Sequence, residues 1–117
     1  MNILKSANGI TADEIYGLTK STDVRRLKDA KGEILGVEKY VYYEEENSDG
    51  ENVKVLAMVT DNDVKYATNS KTFIRDFFAI LTIFSEEYKN SPICFIVGSR
   101  ISNSGNEYLT CEKAYKA

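Results

Sequence analysis

Val37-Glu38-Lys39-Tyr40-Val41-Tyr42-Tyr43-Glu44 is the stretch on which the fold turns. Its residues alternate, with Val37, Lys39, Val41 and Tyr43 on one face and Glu38, Tyr40, Tyr42 and Glu44 on the other. β-Branched and aromatic side chains dominate it. Period two with that composition predicts a strand, from about Ile34 to Glu45. Asn47-Ser48-Asp49-Gly50 then predicts a turn, with glycine free to take positive φ. A second strand follows, alternating Val53, Val55, Ala57 and Val59 against Lys54, Leu56, Met58 and Thr60. Asp61-Asn62-Asp63 predicts a hairpin, and Val64 to Thr68 a short third strand.

Beyond this meander the period changes. Asn69 or Ser70 is placed to cap a helix over Lys71 to about Lys89, whose Phe73, Ile74, Phe77, Phe78, Ile80, Leu81 and Phe84 form one broad apolar face. That face is core material. Pro92 bars helix continuation, Ile93–Val97 predicts a fourth strand, and Gly98 allows a bulge or bend. Ser102–Asn106 reads as a loop and Tyr108–Glu112 as the last strand. Upstream, Thr11-Ala12-Asp13-Glu14 is a capping box that opens a short helix through Ile15 and Leu18. A second short helix is expected to restart at Thr22 or Asp23, end near Asp29 and be released by Gly32.

Three strands, a helix and a two-strand hairpin are the connectivity of an OB-fold, a small five-stranded, partly open barrel. The expected class is therefore α+β, mainly β, with a helix between strands three and four. One domain is expected over residues 1–117: a helical extension over 1–32 and the barrel over 33–117. A plain α+β sheet with one packed helix is the alternative.

Composition narrows the function classes. The 117 residues contain no histidine and no tryptophan. Ser-His-Asp and Cys-His catalysis and the HExxH zinc site therefore cannot be written. Two cysteines, Cys94 and Cys111, are too few for a four-ligand zinc site and read as small buried apolar residues. Asp49, Asp61 and Asp63 are spaced as turn formers and lack the calcium-loop pattern. No phosphate-binding glycine motif is present. No enzyme activity, metal or cofactor is expected. No apolar run is long enough to span a bilayer and no secretory signal opens the chain, so a reduced, cytoplasmic setting is expected.

The net charge of −3 is unevenly spread. Residues 1–40 hold seven basic and six acidic groups, and residues 64–117 seven and five. Residues 41–63 hold one basic and seven acidic groups, among them Glu44, Glu45, Glu46, Asp49 and Glu51. Outside the hairpin tips the chain is mildly positive. Five of its eight tyrosines (Tyr40, Tyr42, Tyr43, Tyr66, Tyr108) fall on predicted strands near Lys39, Lys54, Lys65 and Arg100. Rings that stack bases, beside cations that follow phosphates, are what single-stranded nucleic acid requires. The plainer reading is that tyrosine favours strands and that Tyr40 and Tyr42 cover the barrel.

Ala67-Thr68-Asn69-Ser70 with Thr72-Phe73-Ile74-Arg75, the turn Val97-Gly98-Ser99-Arg100, and Tyr108-Leu109-Thr110-Cys111-Glu112 together resemble small single-stranded-DNA-binding proteins of phages and prophages. Members also open with short helices resembling Ala12 to Leu27 and a first strand resembling Val37 to Tyr43. The resemblance implies a non-catalytic OB-like protein that coats single-stranded DNA during phage or mobile-element replication in a bacterial host cell, beside replication proteins. It implies Tyr66 and Tyr108 as stacking residues and Lys54, Lys65 and Arg100 as phosphate contacts. The family's glycine turn commonly carries a basic cluster; here Arg100 is its only cation. Exposed edges of a small open barrel would allow a homodimer. The competing expectation is a phage-encoded interaction module or inhibitor whose acidic hairpin tips engage a basic host protein.

Overall fold

Residues Ile34–Glu46 form the longest strand, 13 residues, and every other part of the sheet is arranged around it. The computed structural model describes residues 1–115, so residues 116 and 117 of the expected domain lie outside it. In chain order the elements are β1 (Asn2–Ser6), α1 (Ala12–Thr19), β2 (Arg25–Arg26), a 3-10 turn (Leu27–Ala30), β3 (Ile34–Glu46), β4 (Asn52–Thr60), β5 (Lys65–Thr68), α2 (Lys71–Ile83), α3 (Ser85–Tyr88), β6 (Ile93–Ile101) and β7 (Glu107–Lys113). The strands join in the order β2-β5-β4-β3-β6-β7, with β1 also paired to β3. The result is a mainly-β α+β architecture, a sheet curled into a half-barrel with few helices.

β3 can serve three neighbours because its two halves use different edges. Its whole length from Val37 to Glu46 pairs with β4 on one side. On the other, Ile34–Val37 pair with β6 and Val41–Glu44 with β1. The β3–β4 register slips between Val37, opposite Thr60, and Lys39, opposite Val59. Glu38 is thus an extra residue, a bulge that inverts the facing of everything after it. Unbroken alternation would leave Val37 with Val41 and Tyr43. Instead Val37 enters the main core, against which Tyr40 and Tyr42 pack, while Val41 and Tyr43 join a second cluster on the opposite face.

The two clusters divide the sheet into an inner and an outer layer. The inner one gathers Leu56, Met58, Tyr66, Ile93, Phe95, Val97, Leu109 and Cys111 under Phe73, Ile74, Phe77 and Leu81 of α2. Phe77 stacks on Phe95 at 4.9 Å and takes the edge of Tyr40 at 5.5 Å. The outer one sets Leu18 of α1 against Val41, Tyr43 and Ala57. α1 begins where its capping box predicts: the Glu14 amide donates to Thr11 Oγ1 at 3.1 Å, and the Thr11 amide to Glu14 Oε1 at 2.9 Å. Both cysteines are buried and unpaired, and burial pushes the Cys111 thiol well up from its usual range.

Several expectations need correction. The α-helix expected to restart at Thr22 or Asp23 does not form. Arg25–Arg26 run parallel to Tyr66–Ala67 of β5, and the 3-10 turn after them drives Leu27 and Ala30, both 0% exposed, into the main core. The Gly32 amide then donates to the Val97 carbonyl at 2.7 Å. Residues 25–33 therefore form a strap from β5 to β6, and the N-terminal segment belongs to the fold rather than being appended to it. The long helix breaks at Phe84 into α2 and α3. Near the break the Thr82 hydroxyl donates to the Phe78 carbonyl at 2.8 Å, a back-bond that bends helices. Gly98 makes no bend: β6 runs straight through it, opposite Thr110, whose Oγ1 would lie 2.6 Å from an added Cβ. Close approach, rather than a turn, is what requires glycine there.

Candidate functional site

β5 and β7 do not pair with each other, and the strap that fills the space between them leaves an open groove of about 730 Å³. Four segments line it. The strap contributes Arg26, Leu27 and Lys28; β4 contributes Val55; the end of β5 and the start of α2 contribute Ala67 through Thr72; and β7 contributes Glu107, Tyr108 and Leu109. These positions follow from local physics. Leu27 is pulled inward by the core, which turns its neighbours Arg26 and Lys28 outward. Ser70 caps α2, its Oγ accepting from the Phe73 amide at 3.3 Å, which places Asn69 and Lys71 on the rim. Alternation along β7 buries Leu109 and leaves Tyr108 half-buried beside Arg100, its partner on β6.

The groove carries a positive balance. Arg26, Lys28 and Lys71 face a single carboxylate, Glu107, and that carboxylate is taken by Lys31 of the strap at 2.9 Å. Arg26 lies 3.5 Å from Asp29, but with 70% of its side chain exposed that pair is screened by water and leaves the guanidinium accessible. Hydroxyl and amide groups of Thr68, Asn69, Ser70 and Thr72 add uncharged hydrogen-bonding partners. Cations, small polar groups and one aromatic ring on an open surface suit an extended polyanion with planar groups. Among the described residues no group of three or more Cys, Asp or Glu side chains is placed to hold a metal ion. No described helix is long and apolar enough to cross a membrane.

The residues singled out from the sequence scatter across the molecule. Tyr108 is in the groove, and Arg100 lies exposed beside it on the outer face of the β6–β7 hairpin. Tyr66 is 6% exposed within the main core, so its ring has no face left for a base; inward alternation of β5 puts it opposite Met58. Tyr40 and Tyr42 point under α2 against Phe77 and Phe78 rather than covering the outside, because the Glu38 bulge turns them inward. Burial raises the Tyr40 hydroxyl above its ordinary range. Lys54 is exposed on the far hairpin, opposite Glu44.

Lys39 and Lys65 are engaged elsewhere. Both Glu14 carboxylate oxygens accept from Lys39 Nζ at 2.9 Å, and this bond is the main cause holding the Glu14 carboxyl below its usual range. Lys65 lies 3.5 Å from Asp23, whose carboxyl is lowered chiefly by the Ser21 hydroxyl and next by Lys65. Both lysines thereby help fasten α1 and the segment after it to the outer face of the sheet. Reading by spacing missed Arg26, Lys28 and Lys71. The signal was the run Arg25-Arg26-Leu27-Lys28, which looks like a helix end until the burial of Leu27 shows which neighbours must face out. Compared with protein-family models, with curated proteins and with solved structures, the chain matches none of them.

Proposed function

We propose that this chain is a non-catalytic, OB-like protein that binds single-stranded DNA without reading its sequence, in phage or mobile-element replication within a bacterial cell. The observation that carries the reading is the groove between β5 and β7, which Arg26, Lys28 and Lys71 line together with the half-buried ring of Tyr108. Bases stack on the ring irrespective of identity, while the cations track the phosphates. The order of β3–β4–β5, α2 and β6–β7 supports an OB-like reading, with β1 and β2 as additions to its five strands. The replication setting is drawn from the sequence resemblance alone.

The test is a fluorescence-anisotropy titration with oligo-dT at two salt concentrations. Neutralising three phosphates predicts that log K falls against log salt with a slope of about −2. Charge reversal of Arg26, Lys28 and Lys71 together should remove most of the binding. A flat titration at low salt rejects the reading. It would favour the competing one, an interaction module built on the β3–β4 hairpin, whose acidic arm around Glu46, Asp49 and Glu51 extends beyond the last β5 pairing at Leu56.

A further inference from the structure

α2 separates two grooves of equal size. The first meets its N-terminus; the second, also about 730 Å³, lies along its C-terminal turns between β1, β3 and α3. Three half-buried rings, Tyr40, Phe78 and Tyr88, stand in its wall. Tyr88 is pinned there, its hydroxyl donating to the Glu38 carbonyl at 2.9 Å, and burial raises that hydroxyl well above its ordinary range. The bulge that turns Tyr40 inward therefore also supplies the acceptor that orients Tyr88. Lys5, Lys39 and Lys89 line the same groove against one carboxylate, Glu38. Lys39 is committed to Glu14, and Lys89 lies 3.0 Å from Glu86, a pair whose members are 60% and 86% exposed and hence weakly held. Lys5 extends from an exposed strand to place its ammonium 4.8 Å from the Phe78 ring centre, rather than against a carboxylate among the described residues.

Aromatic rings with accessible ammonium groups beside them repeat the chemistry of the first groove at the other end of the helix. We infer that this second groove is a further contact site for the same single strand, with Lys5 and Lys89 taking phosphates and Tyr88 offering a face to a base. The inference rests on the proposed single-stranded-DNA reading and extends it: the strand passes from the β5–β7 groove along α2. α2's 13 residues span about 20 Å, so a short oligonucleotide fills one groove while a longer one engages both.

The experiment compares wild type and K5E/K89E binding to oligo-dT of about 4 and about 16 nucleotides, lengths within the range of site sizes for such folds and respectively shorter and longer than α2. The variant should lose about tenfold in affinity for the longer strand, with a salt slope shallower by about 1.4, while the shorter strand is held as before. K5Q/K89Q, which removes the charges without adding repulsion, should show a smaller loss with the same length dependence. Equal losses at both lengths, or no loss at either, overturn the second site while leaving the first intact. If wild type binds neither length, the single-stranded-DNA reading itself falls and this inference with it.

Discussion

Tyr66 and Tyr108 carry the same side chain on strands toward opposite ends of one sheet, and their environments assign them different work. Tyr66 fills core volume, and Tyr108 presents part of its ring to a groove. Tyr66→Ala should lower stability by about 3–5 kcal/mol, the usual cost of removing a buried aromatic ring. Tyr108→Ala should leave the melting temperature nearly unchanged and weaken oligo-dT binding by about 1–3 kcal/mol, the worth of one stacked base. Thermal melts and anisotropy titrations on both variants would separate the roles; equal effects on melting would show that Tyr108 is structural too. At this scale the sequence is legible for residue type and silent on facing. Cys94 and Cys111 could be read as buried because their chemistry left little else for them to do. Tyr66 could not, because tyrosine is at home on either side of a sheet.

At the scale of elements, Glu38 has the largest consequence of any single residue. Strand β3 is evident from its composition and alternation, and its expected boundaries nearly match those observed. The bulge is invisible, because both phases of the alternation offer apolar or aromatic side chains: Val37, Val41 and Tyr43 in one, Tyr40 and Tyr42 in the other. Deleting Glu38 should place Lys39 directly after Val37, an unbroken alternation that keeps Val37, Tyr40 and Tyr42 inside. The deletion variant is therefore expected to keep a cooperative thermal transition, monitored by circular dichroism, at a modest cost because the Tyr88 hydroxyl loses its Glu38 acceptor. Loss of the cooperative transition in that variant would contradict the register described here.

For the whole molecule, the strap over residues 25–33 does what a direct β5–β7 pairing would otherwise do. It fills the space between the two ends of the sheet with Leu27 and Ala30 and leaves its charged residues outside. Leu27→Ala should therefore destabilise the entire protein by about 2–5 kcal/mol, with chemical denaturation remaining a single transition. A local effect confined to the N-terminal segment would show that the strap is an appendage after all. β1 and β2 had no local signal, but from β3 to β7 the order of strands and of the helical segment between them was determined by the sequence itself, since hydrophobic period, caps and turn residues act over a few positions. So were the exclusion of histidine chemistry and the separation of acidic hairpin tips from a mildly basic remainder. Tertiary structure alone decided which face of each strand is inside, that the N-terminal segment closes the sheet, and that Arg26, Lys28, Lys71 and Tyr108 line one groove. Those outcomes depend on one inserted residue in β3 and on contacts between segments about 40 or more positions apart, such as Arg25 with Tyr66 and Lys31 with Glu107. Local pattern carries no information at that range, because the free energy that selects such contacts comes from burying one distant surface against another.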